Sequence, residues 1–258
     1  MDLQQFVTIT GAGVAGLSSG SVPPPPSSVA RSADFPGGDT EFLVKTADVN
    51  TDLGSGPYTI TLFIRPTFLA EVGTVRGILG KGTALGVAAT DLFYLYYSRI
   101  SNKLVFRVSD GTTITTVQSA APLVNDTWYF VVIQYNSTTD VLSMTIDEGT
   151  PVTATSVLDA QSAELDFRIG SVQGAFSAWK GQISLVGFFD ELLDSTQLTE
   201  LYNTGLGKLY SGLAAGTQSA AMGYWQLDET SGVRDDKSAQ DTNLAENSAI
   251  GSSSETPI

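Results

Sequence analysis

From about residue 40 onward, apolar and polar positions alternate over short runs broken by Gly, Pro, Asn and Asp, the pattern of β-strands joined by turns. Residues 58–65 form such a run and stop at Pro66; residues 77–82 form another between glycines, and 93–97 a third. Residues 103–108 and 112–117 flank Asp110-Gly111, a pair that predicts a tight hairpin. Residues 128–135 are apolar almost throughout, which predicts a strand covered on both faces. Further strands are predicted over 141–146, 165–169, 181–189 and 222–227. One segment has helical rather than strand spacing: Leu198, Leu201 and Tyr202 follow Asp194 or Ser195 as N-cap and precede Asn203 and Gly205 as a stop.

The first 30 residues break this pattern. Phe6, Val7, Thr8, Ile9 and Thr10 form one β-prone piece, followed by a Gly/Ala/Ser stretch and then by Pro23 to Pro26, which favour a stiff polyproline II spacer. The segment is too short to offset its ordering entropy by burial of its own. The expected organisation is an anchoring arm over 1–30 and a β-sandwich over 31–258, ending in a polar tail. The β-prone piece is expected either to dock on a partner or to fray.

Composition narrows the chemistry. Thirteen Lys and Arg stand against 27 Asp and Glu, a formal charge of −14, which repels nucleic-acid phosphates and anionic membranes. The chain has no Cys, hence no disulfide framework, and no His, hence neither the commonest general base nor the main zinc ligand. The opening Met1-Asp2-Leu3-Gln4-Gln5 lacks a basic n-region, so a secretory signal is not expected there. No run of about 18 apolar residues predicts a membrane-spanning helix.

Several stretches, taken in order, resemble the laminin-G-like jelly-roll family of concanavalin A-like sandwiches. Residues 128–147 are similar to its central hairpin: a Trp-led apolar strand, a polar turn, and a strand closing on Asp147-Glu148-Gly149. Phe167-Arg168-Ile169-Gly170-Ser171 resembles its glycine-serine strand. Trp179-Lys180-Gly181-Gln182-Ile183 with Phe189-Asp190-Glu191-Leu192 resembles the strand after it, and 198–205 its closing helix. The resemblance covers about residues 40–210. Beyond it, residues 224–232 look like the segment that usually opens such a domain, and 33–39 like the piece that normally follows, so the chain reads as a circular permutation. The strand within 222–229 is then expected either to complete its own sheet or to be donated to a neighbouring subunit.

The resemblance implies an antiparallel all-β jelly roll and, in this region of relatives, a structural Ca²⁺. Its candidate ligands here are Asp190 and Glu191, joined by Asp228, Glu229, Asp235 and Asp236 from the permuted segment; the alternative is a group of solvated carboxylates. Tyr94, Tyr96, Tyr97 and Trp179 are candidates for an aromatic glycan platform, with core packing as the alternative. Asp147 and Glu148 are adjacent in a turn, where exposure is expected, rather than opposed across a cleft as glycosidase carboxylates are.

No catalytic constellation emerges, and the expected function is non-enzymatic. One reading is a bacteriophage capsid decoration or fibre-like surface protein, since phage surface proteins often resemble this sandwich. It would assemble in the host cytoplasm and be displayed on the virion surface. Its partners would be the major capsid protein or fibre and tail components, reached through the arm, together with copies of itself in a homo-oligomer and host-surface glycans bound weakly. The competing reading is an extracellular bacterial carbohydrate-binding or adhesion module.

Overall fold

The alternating segments become strands of a computed structural model, which describes residues 31–68, 75–83, 87, 89, 91–155, 163–173 and 177–257. The arm, with Phe6, Val7, Thr8, Ile9 and Thr10, lies outside the described residues. In chain order the strands are β1 (Ser32–Pro36), β2 (Leu43–Asp48), β3 (Tyr58–Pro66), β4 (Val75–Gly82), β5 (Asp91–Ser98), β6 (Lys103–Ser109), β7 (Ile114–Gln118) and β8 (Tyr129–Asn136). They continue with β9 (Val141–Ile146), β10 (Val152–Thr155), β11 (Leu165–Ile169), β12 (Ser177–Ala178), β13 (Lys180–Phe189), β14 (Ala221–Trp225), β15 (Ala245–Glu246) and β16 (Gly251–Ser253). The helices are α1 (Ser195–Tyr202) and α2 (Ala215–Ser219).

Two eight-stranded sheets pack face to face. The first runs β10-β9-β8-β3-β13-β1-β16 with β14 also on β13, and the second β15-β2-β11-β4-β5-β6-β7 with β12 on β4. Within the first sheet, β13 is the organising strand. One of its edges pairs with β3, while the other is shared, Lys180 to Ile183 with β1 and Val186 to Phe189 with β14. The division falls at a bulge where Leu185 has φ 50°. An extra residue there reverses the phase of the strand, so Ile183, Val186 and Phe188 face the inter-sheet core while Leu185 and Phe189 face outward. The sequence segment expected to complete a sheet does so within its own chain, as β14.

Over much of β3 and β8 both faces of the first sheet are covered, which explains the nearly unbroken apolar runs in these strands. Val131, Ile133 and Tyr135 point into the inter-sheet core, whereas Phe130 and Val132 point outward beneath Leu201, Leu213 and Tyr224. Helix α1 starts as predicted. The Asp194 side chain accepts from the backbone N–H of Thr196 and Gln197, and the Gln197 side chain accepts from Asp194 N–H, a capping box. Asn203 ends it in the left-handed region, at φ 47°.

Two expectations change. The Asp110-Gly111 hairpin is wider than a two-residue turn, because Asp110 Oδ1 accepts from the N–H of both Thr112 and Thr113 and β7 starts only at Ile114. The C-terminal stretch is not a loose polar tail: β15 pairs with β2, β16 with β1, and Leu244 and Ile250 join the core. Its polar residues are spent on folding it back. Arg234 is fully buried and ion-paired to Glu246 at 2.7 Å, and Asp236 closes a local turn.

Candidate functional site

Helix α1 has eight residues and covers only part of the outer face of the first sheet. Beyond it the face of β8, β9 and β10 turns polar. Register places Gln134 of β8 opposite Ser143 of β9, and Ser143 opposite Thr153 of β10. Val132 lies opposite Thr145, and Asn136 opposite Val141. Two adjoining hollows of about 360 and 280 Å³ lie on this face and share Gln134 and Pro151. Together they form a groove in the size range of small-molecule sites, about 300–1,000 Å³. One wall is Leu192 and Leu193; the other end is closed by Leu198 and Tyr202 of α1 and by the turn at Asp147, Glu148 and Gly149.

Three groups in the groove have defined chemistry. Gln134 donates from Nε2 to Leu193 O at 2.9 Å and to Thr59 Oγ1 at 3.3 Å. With both amide hydrogens committed to the scaffold, its Oε1 is a fixed acceptor that meets no partner among the described residues. Asp147 sits at φ 54° after β9; its Oδ1 accepts from Phe130 N–H at 2.9 Å, and its own N–H donates to Phe130 O at 2.7 Å. Burial raises its pKa, the Phe130 N–H opposes that, and Glu148 adds a further upward push. Tyr202 stacks obliquely on Phe130, with ring centroids 5.6 Å apart. Its hydroxyl pKa is raised by burial first and then by the fields of Asp147 and Glu148.

The aromatic platform expected from the sequence does not exist. Period two sends Tyr97 to the inter-sheet core and Tyr94 and Tyr96 to the opposite face of β5, where they are buried with Val105 and Val172. Trp179 is fully buried against Phe68, with ring centroids 4.9 Å apart. These rings are packing elements.

The six carboxylates expected near a Ca²⁺ are not gathered into a cage either; among the described residues no group of three or more acidic side chains is arranged to hold a metal. Each has another use or faces water. Asp190 is exposed, Glu191 accepts from Gln197 Nε2 at 3.0 Å, and Asp228 accepts from Gln226 Nε2 at 3.3 Å. Glu229 lies 3.6 Å from Lys237 and accepts from Asp235 N–H, and Asp235 pairs with Lys237 at 3.2 Å. Asp236 accepts from the backbone N–H groups of Tyr224, Ser238 and Thr242. The permuted segment does come alongside β13, as expected, and brings Arg234 and Lys237 with it; both lie against Glu229, and Lys237 also pairs with Asp235.

Asp147 is half-buried rather than exposed, and only Glu148 projects freely. The groove residues Gln134, Ser143, Thr145 and Thr153 carry no motif. Their one sequence signal is polarity at positions that interrupt or alternate with apolar strand residues, Gln134 being the break in the run from 128 to 135.

A two-sheet jelly roll with a helix-flanked polar groove on one outer face is a concanavalin A-like sandwich. The chain belongs to the concanavalin A-like lectin/glucanases superfamily, whose laminin G type 3 model matches residues 37–199. A proposed carbohydrate-binding protein from Bacteroides ovatus is similar in structure, with a TM-score of 0.63 at 15% identity over 90% of this chain and 62% of that one. The chain thus spans under two thirds of that protein's length. The CBM40 module of a Ruminococcus gnavus IT-sialidase, solved with α2,3-sialyllactose, is similar at a TM-score of 0.50 and 12% identity, over 65% of this chain and 93% of that one. No curated protein matches in sequence.

Proposed function

We propose that the chain is a carbohydrate-binding domain that holds an oligosaccharide in the groove over β8, β9 and β10 without altering it. The observation that carries the reading is the groove itself: hydroxyls, a pre-oriented amide and an aromatic side chain converge on one sheet face in a superfamily of lectins and glucanases. Amphipathic rings and fixed hydrogen-bonding groups suit the mixed C–H and O–H surface of a sugar. The described similarities to a proposed carbohydrate-binding protein and to a sialidase CBM40 support the same class. Glycoside hydrolysis is disfavoured, because Asp147 and Glu148 are neighbours in one turn and do not face each other across a bound bond.

A module of this kind acts outside the cell or at a surface. The comparisons favour this reading over a virion component, whose anchoring arm lies outside the described residues.

The test is a glycan array on the whole chain, followed by calorimetry on any hit. Thr153→Trp on the exposed edge strand fills the groove and is expected to abolish binding while leaving the melting temperature unchanged. Failure of the wild type to bind any glycan, or full binding by Thr153→Trp, overturns the proposal.

A further inference from the structure

The groove has a sign as well as a shape. Among the described residues every charged side chain lining it is a carboxylate: Asp147 and Glu148 stand at one end, and no described Lys or Arg lines either hollow. The neighbouring groups add acceptors. Gln134 Oε1 is held outward by the two donations from its Nε2. Asp147 commits one oxygen to Phe130 N–H, and its second meets no partner among the described residues. Among the described residues the side-chain donors lining the hollows are the Gln134 amide, already committed to the scaffold, the Asn136 amide, and hydroxyls, those of Ser143, Thr145, Thr153 and Tyr202 among them. Around this, the whole chain carries a charge of −14.

Resting on the carbohydrate-binding reading above, we infer that the groove selects an uncharged sugar unit whose hydroxyls donate to Gln134 Oε1 and to the Asp147 and Glu148 carboxylates, and that it rejects glycans carrying sialic or uronic acid at that position. An anionic sugar needs a cation or a cluster of N–H donors to replace its hydration. This groove offers it two carboxylates, the half-buried Asp147 and the exposed Glu148, and like charges repel. A neutral hexose presents hydroxyl donors instead. The acceptor positions are set before binding, because the amide of Gln134 and the turn at Asp147 are already hydrogen-bonded into the sheet, so little ordering is needed. The hydroxyl pKa of Tyr202 is raised by burial first, and Asp147 and Glu148 add a further upward push across the groove.

The inference is tested by calorimetry at low salt with matched pairs, lactose against α2,3-sialyllactose and a neutral oligosaccharide against its uronic-acid counterpart. The expected result is neutral binding at least about tenfold tighter than its anionic partner, with the gap narrowing as salt screens the repulsion. Glu148→Gln, at an exposed position, is expected to narrow the gap, and Asp147→Asn with Glu148→Gln to narrow it further. Equal or tighter binding of the anionic member overturns the inference but leaves the carbohydrate-binding reading intact. Absence of binding to either member and to every array glycan overturns that reading itself. An unchanged ratio in both variants, each checked for a native melting transition, removes the carboxylates as the origin of the selectivity.

Discussion

Asp236 Oδ1 accepts the backbone N–H of Tyr224 at 2.8 Å, joining the last long strand of the first sheet to the chain that folds back after it. The same carboxylate accepts from Ser238 N–H at 2.8 Å and, through Oδ2, from Thr242 N–H at 2.9 Å and Ser238 Oγ at 2.8 Å. Thr242 in turn accepts the indole N–H of buried Trp225 on its carbonyl, at 2.8 Å. One side chain thus holds the turn that lets residues 234–257 return to both sheets.

Removing it leaves buried N–H donors without partners, each costing about 1–3 kcal/mol. Asp236→Ala is therefore expected to destabilise the fold by about 3 kcal/mol in urea melts. Amide exchange should accelerate first at Tyr224, Thr242 and Leu244. A loss below about 1 kcal/mol would mean that the turn holds without this carboxylate.

A second carboxylate pins the outer helical layer. Glu200 of α1 accepts from Lys208 Nζ at 2.8 Å, Ala214 N–H at 2.9 Å and Thr217 Oγ1 at 2.9 Å. Burial is the largest single influence on its pKa and pushes it up, but the three hydrogen bonds together with the charge of Lys208 outweigh burial and the net shift is downward. A folded pKa below the unfolded one stabilises the protein above the ordinary carboxylate range, and that contribution is lost as pH falls through the folded value. Glu200→Gln is expected to cost about 2 kcal/mol at neutral pH and to flatten the acid limb of the stability curve. Parallel acid limbs for variant and wild type would count against this account.

The architecture was readable from the sequence where one local rule acted alone. Period two marked β3, β6, β9 and β11, and the capping residues Asp194 and Asn203 bounded α1. It was not readable where a distant segment decided the outcome. The strand pairing of Ala245–Glu246 and Gly251–Ser253 depends on the edges that β2 and β1 present, and nothing in those short polar stretches announces it. The aromatic candidates turned out to be buried for a related reason. Tyr94 and Tyr96 have the composition of a sugar platform, but their face of β5 is covered by Val172, a contact between residues far apart in sequence. Gln134 is a polar break in the strand that reads as apolar almost throughout, a signal that means little until the helix beside it turns that break into a groove.

The burial of Tyr94 depends on Gly80, its cross-strand partner in β4. A Cβ at position 80 would stand 2.3 Å from Tyr94 Cδ1 and 2.9 Å from the Phe93 carbonyl oxygen. The ring lies in the space that a side chain would take, and the backbone oxygen cannot swing aside as a flexible side chain could. Gly80→Ala is expected to destabilise by about 2 kcal/mol, as overpacking of a tight core does. A variant with smaller bulk at the partner position, Tyr94→Leu, should recover part of that loss in the double mutant; additive losses would show that the ring is not the obstacle.

Asp147 gives the groove a pH signature opposite to that of Glu200. Burial raises its pKa, only partly offset by the N–H of Phe130, so the folded protein holds this proton at a higher pH than the unfolded chain does. Between the unfolded and folded values the native state binds more protons, so stability falls as pH rises through that interval, and the loss is complete above the folded value. Asp147→Asn keeps an oxygen for the Phe130 N–H but removes the charge. The variant is expected to melt at or above the wild-type temperature at neutral pH and to lack the decline just above the ordinary carboxylate range. Thermal melts taken in small pH steps decide the matter: a wild-type curve that rises through this interval, or a variant that keeps the same decline, would place the ionisation on another group.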